Sequence, residues 1–208
     1  MQDSIELMIE KNIHKVFPTP IFQYEVDDYK NLNIKLSKYV YDLYNNDKDG
    51  IERSNVKGWH SKSFKFEKES VPNNFIKSIH QYIKKVITTG YGWKYKPENI
   101  GVTEMWAVIN SKDTYNQLHN HTNSYLSAAY YVKAPKDSGS IQFFDPNEVK
   151  KFRHPEIEKR TDLSAFGYAI KPIEGNLLIF PSYLYHSVGK NISNEDRIVI
   201  SFNVDIKS

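Results

Sequence analysis

The chain has 208 residues, a mean hydropathy of -0.61, 14% aromatic residues and a net charge of +3 from 28 basic and 25 acidic residues dispersed along its length. That aromatic content is too high for a disordered chain, and the dispersed charge lacks the basic face of a nucleic-acid binder. With no cysteine, a disulfide framework and a thiolate metal site are both excluded, so a metal would have to be held by imidazole and oxygen ligands.

No apolar run approaches the ~20 residues that span a bilayer, so a cytoplasmic protein without a membrane segment is expected. The length suits one domain, 1–208, in which about 1–95 support a core built from about 96–208. Near the start, Phe17-Pro18-Thr19-Pro20 precedes the alternating run Ile21 to Val26. The prolines confine that strand to a sheet edge. After Asp27-Asp28, Leu32, Leu36, Tyr39, Val40 and Leu43 recur at helical spacing until Asn45-Asn46. A second helix opens near Pro72, presents Phe75, Ile76, Ile79, Tyr82, Ile83, Val86 and Ile87 on one face, and has Gly90 as a candidate cap.

From about Ile100 the apolar period changes to two. Val102–Ile109, Tyr125–Val132, Ser140–Phe144, Tyr168–Ile170, Leu177–Phe180 and Arg197–Ile206 read as short strands. Helices followed by strands imply α+β, mainly β, with the helices outside a sandwich or barrel. In the last strand Ile198, Ile200, Phe202, Val204 and Ile206 share one face, expected to meet the helices. Arg197, Val199, Ser201, Asn203 and Asp205 share the other, polar enough to line a pocket. The charged, aperiodic stretch Asp145 to Ala165 is long for a connection and reads as a mobile lid.

The chemistry concentrates in the histidines. His119 and His121, two residues apart, would project to one side of a strand, as a pair of ligands to one ion does. On spacing alone, solvated histidines in the polar run Asn116 to Ser124 are an equal reading. His186 sits where the apolar strand Leu177–Phe180 and Pro181-Ser182 give way to another strand, and in a cysteine-free β domain it is the natural third ligand. His14, His80 and His154 are expected to stand outside the chemistry, and His60 is open between pocket wall and loop packing. Arg197, eleven residues after His186, can be a surface arginine or a guanidinium that grips a carboxylate in fork geometry.

These residues together resemble the double-stranded β-helix family of 2-oxoglutarate- and Fe(II)-dependent oxygenases. The matching stretches are Phe17 to Ile21, Ser54-Asn55 with Gly58-Trp59-His60-Ser61, and His119-Asn120-His121 with Leu126-Ser127 and Tyr130-Tyr131-Val132. They continue with Phe144-Asp145-Pro146 and Phe180 to Val188, then Arg197 and Ser201-Phe202-Asn203. The most specific part is C-terminal: Gly175 before an apolar strand, then Phe-Pro-Ser, histidine and arginine.

The resemblance implies a jelly roll with N-terminal helices on the outer face of one sheet. It makes His119 and His186 iron ligands, and it sets His121 where the wider family has a carboxylate. Arg197 would bind the remote carboxylate of 2-oxoglutarate, with Tyr131 or Ser127 as hydrogen-bond partners and Ser201 and Asn203 on the same wall. The implied cofactors are Fe(II) and 2-oxoglutarate. The implied reaction, with O2, couples oxidative decarboxylation to C–H oxidation of a substrate, either a protein side chain or a small molecule. Trp59, His60, Trp106 and Tyr125 are candidates for the substrate pocket, and a homodimer is admitted as an assembly. Two alternatives stay open: a cupin-like three-histidine enzyme that does not use 2-oxoglutarate, for which Arg197 has no evident partner, and a non-enzymatic β-sandwich binding or structural module.

Overall fold

The computed structural model describes residues 13–147, 149 and 155–206. Two antiparallel sheets face each other. The six-stranded sheet has the order β1 (Phe22–Glu25), β9 (Asn176–Pro181), β6 (Leu126–Lys133), β11 (Arg197–Ile206), β4 (Ile100–Asn110), β3 (Trp59–His60). The five-stranded sheet has the order β2 (Asn55–Val56), β5 (Tyr115–His119), β10 (His186–Val188), β7 (Ile141–Phe144), β8 (Gly167–Ile170). This is the expected mainly-β jelly roll, and β1, after its prolines, stands at a sheet edge as expected.

Two helices cover the outer face of the larger sheet. Helix α1 (Tyr29–Asn46) buries Asn33, Leu36 and Val40, and α2 (Val71–Lys85) buries Pro72, Phe75, Ile79 and Ile83, each set at three-to-four-residue spacing. Ser70 caps α2 by accepting a hydrogen bond from the Asn73 N–H at 3.3 Å, and Lys84 and Lys85 sit at its negative C-terminal end. Tyr130 reaches up from the sheet to donate to Asn33 Oδ1 at 2.7 Å, pinning α1. Each large apolar side chain removed from water in this layer contributes roughly 1.5–3 kcal/mol.

Gly90 does not serve as a left-handed cap. The helix passes into a π-turn over Val86–Gly90, and a Cβ on Gly90 would lie 2.6 Å from Phe22 Cζ, so a close approach explains the glycine. Gly175, by contrast, has φ +81°, and its carbonyl accepts from the Val26 N–H at 2.9 Å while its own N–H donates to Tyr131 O at 2.9 Å. That turn ties β1 and β6 to the start of β9.

The alternation along β11 holds. Ile198, Ile200, Phe202 and Val204 join the core beneath the helices, where Phe202 meets Phe75 edge-on with ring centroids 6.2 Å apart. Val199 belongs instead to the second core, between the sheets, with Tyr131, Ile141, Phe143 and Phe180. The proposed lid, Asp145 to Ala165, falls in part on residues 148 and 150–154, which lie outside the described residues. Its described remainder lies between neighbouring strands β7 and β8, joined at its base where the Asp145 N–H donates to Phe166 O at 3.0 Å.

Candidate metal and cosubstrate site

A cavity of about 600 Å³ opens between the sheets. At its centre His119, His121 and His186 bring one ring nitrogen each within 4.8 Å of one another, the one such cluster among the described residues. Only two of the three come from paired strands. His119 ends β5 directly opposite His186 of β10, with ring centroids 4.2 Å apart. His121 lies past the end of β5, so it reaches the cluster through a turn and not through strand parity; its N–H is held by Ser182 O at 2.9 Å.

Hydrogen bonds orient all three rings alike. His119 Nδ1 faces Gln117 O at 2.8 Å, and His186 Nδ1 faces Leu184 O at 2.9 Å. A carbonyl oxygen can only accept, so each Nδ1 carries the proton and each Nε2 is left unprotonated with its lone pair. His121 Nδ1 faces Asn203 Oδ1 at 2.8 Å, with Ser127 Oγ 3.0 Å from the same nitrogen. Asn203 is fixed in that orientation by its own Nδ2, which donates to Glu104 Oε2 at 3.4 Å. Burial drives the His119 pKa down to about 4 and that of His186 to about 3, and it lowers that of His121 as well. Three neutral imidazoles with convergent Nε2 atoms form a donor set suited to a divalent transition metal.

Arg197 lies on the cavity wall near the start of β11, only 2% exposed. Its Nη1 donates to Gly139 O at 2.9 Å and Ser138 O at 3.2 Å, and its Nη2 donates to Asn110 Oδ1 at 2.5 Å. Its Nε is buried without a hydrogen-bond partner, and no carboxylate among the described residues lies within ion-pairing distance. Burial lowers its pKa to about 10, so it is charged at neutral pH. Tyr131 lines the same wall, and burial raises its pKa to about 12, keeping the phenol as an O–H donor. A buried cation without a counter-ion is costly, and an anionic ligand removes that cost.

The family model described as "Putative 2OG-Fe(II) oxygenase" matches residues 104–203, the stretch that holds all three histidines and Arg197. Over that stretch the chain matches the 2OG-Fe(II) oxygenase family. Solved oxygenase structures share the fold. A prolyl-4-hydroxylase from Pseudomonas putida aligns with TM-score 0.65 at 11% identity, over 91% of this chain and 94% of that one. HygX from Streptomyces hygroscopicus, with nickel, 2-oxoglutarate and hygromycin B bound, aligns with TM-score 0.63 at 14% identity, over 97% and 86%. The carbocyclase SnoK from nogalamycin biosynthesis aligns with TM-score 0.65 at 10% identity, over 95% and 85%. A search of curated protein sequences finds no match.

Around the cavity the remaining sequence-derived candidates separate. Ser127 and Asn203, expected beside the cosubstrate, are hydrogen-bonded to each other at 2.9 Å and grip His121 instead. Ser201 lines the cavity between Asn203 and Arg197. His60 and Trp106 both line it, stacked with centroids 5.7 Å apart, and Trp106 reaches within 5.4 Å of the His121 ring. Trp59 does not: it packs edge-on against Tyr44 in the helix-side core, its indole N–H donating to Asp47 O at 2.7 Å. Neighbouring residues of a strand face opposite ways, so Trp59 and His60 could not both reach the cavity. Tyr125 is also outside it, exposed beside Trp93 in a neighbouring depression. His14 and His80 lie away from the cavity, and His154 lies outside the described residues.

Sequence reasoning missed several polar residues of the wall, among them Asn110, Asn116 and Ser54. Asparagine and serine are common turn residues, which masks a buried one. The available signal was β-strand parity, since Asn110 shares the face of Trp106 and Val108 and pairs opposite Arg197.

Proposed function

We propose that this oxygenase is an Fe(II)- and 2-oxoglutarate-dependent hydroxylase acting on a C–H bond of a protein side chain or small molecule. The observation that carries this reading is the pairing, within one cavity, of three unprotonated Nε2 atoms with a buried guanidinium that has no carboxylate partner among the described residues. The residues fit both groups: the imidazoles suit Fe(II), and the orphaned Arg197 Nε with the Tyr131 hydroxyl suits the remote carboxylate of a 2-oxo diacid. Bound together, iron and 2-oxoglutarate supply an oxidation by O2 that releases CO2 and succinate and is coupled to oxidation of the substrate.

The chain's own part is binding and placement. Gln117 O, Leu184 O and Asn203 Oδ1 hold the three Nδ1 protons, so the rings cannot turn their Nε2 atoms away. Val199, Ile141, Val188 and Phe180 make the inner wall apolar and keep water from the guanidinium's ligand. Trp106 and His60 stand on the histidine side of the cavity, where an entering substrate would meet them. HygX, whose structure holds 2-oxoglutarate with a metal, is similar in fold over nearly the whole chain and supports the cosubstrate. Arg197 favours this reading over a three-histidine enzyme without 2-oxoglutarate, because such an enzyme leaves the buried cation uncompensated.

Anaerobic titration tests the reading. Untagged protein should take up one Fe(II) per chain, and His119→Ala and His186→Ala should each abolish uptake. The loaded protein should then bind 2-oxoglutarate and, in air, convert it to succinate. A true substrate should gain the mass of one oxygen atom. Unchanged mass with altered stereochemistry or a new ring would make it an epimerase or cyclase, and iron binding without 2-oxoglutarate binding would sink the proposal.

A further inference from the structure

A file of hydrogen bonds runs along one wall of the cavity from the guanidinium to the histidines. Arg197 Nη2 donates to Asn110 Oδ1 at 2.5 Å, and Asn110 Nδ2 donates to Asn116 Oδ1 at 3.3 Å. Asn116 Nδ2 donates to Ser54 Oγ at 3.2 Å, and Ser54 Oγ lies 3.4 Å from His119 Nε2. Asn110 and Asn116 are 0% and 6% exposed, so the bonds from Arg197 to Asn116 are interior, and those through Ser54 are half-buried. Their direction is fixed at both ends. A guanidinium can only donate, and His119 Nε2 can only accept because Nδ1 carries the ring proton. Every donor in the file therefore points from Arg197 toward His119, and such head-to-tail bonds polarise one another. The last donor is the Ser54 hydroxyl.

That hydroxyl is held firmly. Ser54 O accepts from the Gln117 N–H at 2.8 Å, which fixes its backbone to β5, and the adjoining loop is closed by Asn55 Nδ2 donating to Gly58 O at 2.7 Å and Ile51 O at 3.3 Å. Its proton is aimed at the one lone pair that a metal would take. Metal on His119 Nε2 removes the acceptor from Ser54, while Asn116 continues to occupy the serine oxygen. The half-buried hydroxyl on the cavity wall is then an unspent donor, and a donor shielded from water without an acceptor is costly.

Resting on the metal and cosubstrate reading above, we infer that Ser54 donates a hydrogen bond to an oxygen ligand of the metal, the 2-oxo acid carboxylate of the cosubstrate. Arg197 and Ser54 are thus the two ends of one wall, each serving one end of the same diacid. Asn110 and Asn116 are positioning residues that keep the two ends in register. Without metal, Ser54 is spent on His119 and contributes nothing to 2-oxoglutarate binding. Its contribution appears only when metal is present, so it couples the two ligands.

The test is a pair of anaerobic titrations, with Fe(II) and then with 2-oxoglutarate, on the wild type, Ser54→Ala and Ser54→Thr, followed by calorimetry and by the visible charge-transfer band of the Fe(II)–2-oxo acid chelate. Ser54→Ala should bind Fe(II) about as tightly as the wild type but bind 2-oxoglutarate to the iron-loaded protein roughly ten-fold or more weakly, the effect of one hydrogen bond to a charged group. Ser54→Thr, which keeps the hydroxyl, should restore affinity and band position. In the metal-free protein all three should bind 2-oxoglutarate alike. Equal affinity of iron-loaded wild type and Ser54→Ala overturns the inference, as does a Ser54→Ala variant that loses iron while its coupling to 2-oxoglutarate is unchanged, since serine then only supports His119. A wild type that binds iron but not 2-oxoglutarate fails at the earlier reading and takes the inference with it.

Discussion

Along β11, Ile198, Ile200, Phe202 and Val204 pack beneath the two helices, while Arg197, Val199, Ser201 and Asn203, one residue out of step, line the cavity between the sheets. The first set buries only hydrocarbon and holds the layers together. The second set buries a cation with no counter-ion among the described residues and an amide engaged in holding a histidine. One strand thus separates stability from binding by alternation alone. Removing a side chain should therefore have opposite consequences on the two faces.

The largest effect is expected on the helix side. Phe202→Ala should lower the unfolding free energy by ~3–5 kcal/mol through lost burial and an unfilled cavity, measured by denaturant titration, yet leave one Fe(II) site per folded chain. Loss of iron binding by the folded variant would mean that the two faces are not independent.

On the cavity side, Arg197→Ala should weaken 2-oxoglutarate binding to the iron-loaded protein by roughly 30-fold or more, equivalent to ~2–5 kcal/mol for a lost buried charge pair, with iron binding kept. Arg197→Met, of similar volume, should lose the same affinity while the ligand-free protein becomes no less stable, because a buried uncompensated charge is replaced by an apolar chain. If Arg197→Met destabilises the fold as much as Phe202→Ala does, the cavity wall is structural and the contrast collapses.

The smallest effect is a pH dependence confined to the cavity face. In the unfolded chain a histidine titrates near its ordinary value of 6.5, whereas burial lowers His119 to about 4 and His186 to about 3 in the fold. Above 6.5 both states are neutral and the histidines contribute no slope. As pH falls below 6.5 the unfolded state takes up protons that the folded state refuses, so stability is lost progressively toward pH 4 for His119 and pH 3 for His186. Metal-free protein should thus melt at falling temperature below pH 6.5, and His186→Asn should show a shallower decline. An identical decline in that variant would assign the acid sensitivity elsewhere.

Much of this division was legible before any coordinates. The two faces of β11 follow from the period-two pattern, and the helical stripes of α1 and α2 follow from three-to-four spacing, because both periodicities are properties of the backbone itself. His119 was legible as a candidate through its two-residue spacing from His121, and His186 and Arg197 through their places beside apolar strands, and the structure gathers all three in one cavity. The two-residue strands β2 and β3 escaped notice because such short runs carry no period. The stretch containing β5 read equally well as a polar loop, since Tyr115, Asn116 and Gln117 bear no alternation of apolar and polar side chains.

The sequence by itself determined the order of the two helices and the longer strands, the buried faces of α1, α2 and β11, and a donor set restricted to imidazole and oxygen, since these depend on residue type and local spacing. Only the tertiary structure decided which polar residues meet. The turn that brings His121 to the cluster is fixed by Ser182, the ring is held by Asn203 and Ser127, and Trp59 is turned into the core while its neighbour His60 faces the cavity. Likewise, the file from Arg197 through Asn110 and Asn116 to Ser54 joins residues as far apart as 54 and 197 in the chain. Such contacts are set by strand pairing across the two sheets, a long-range choice that no local pattern encodes.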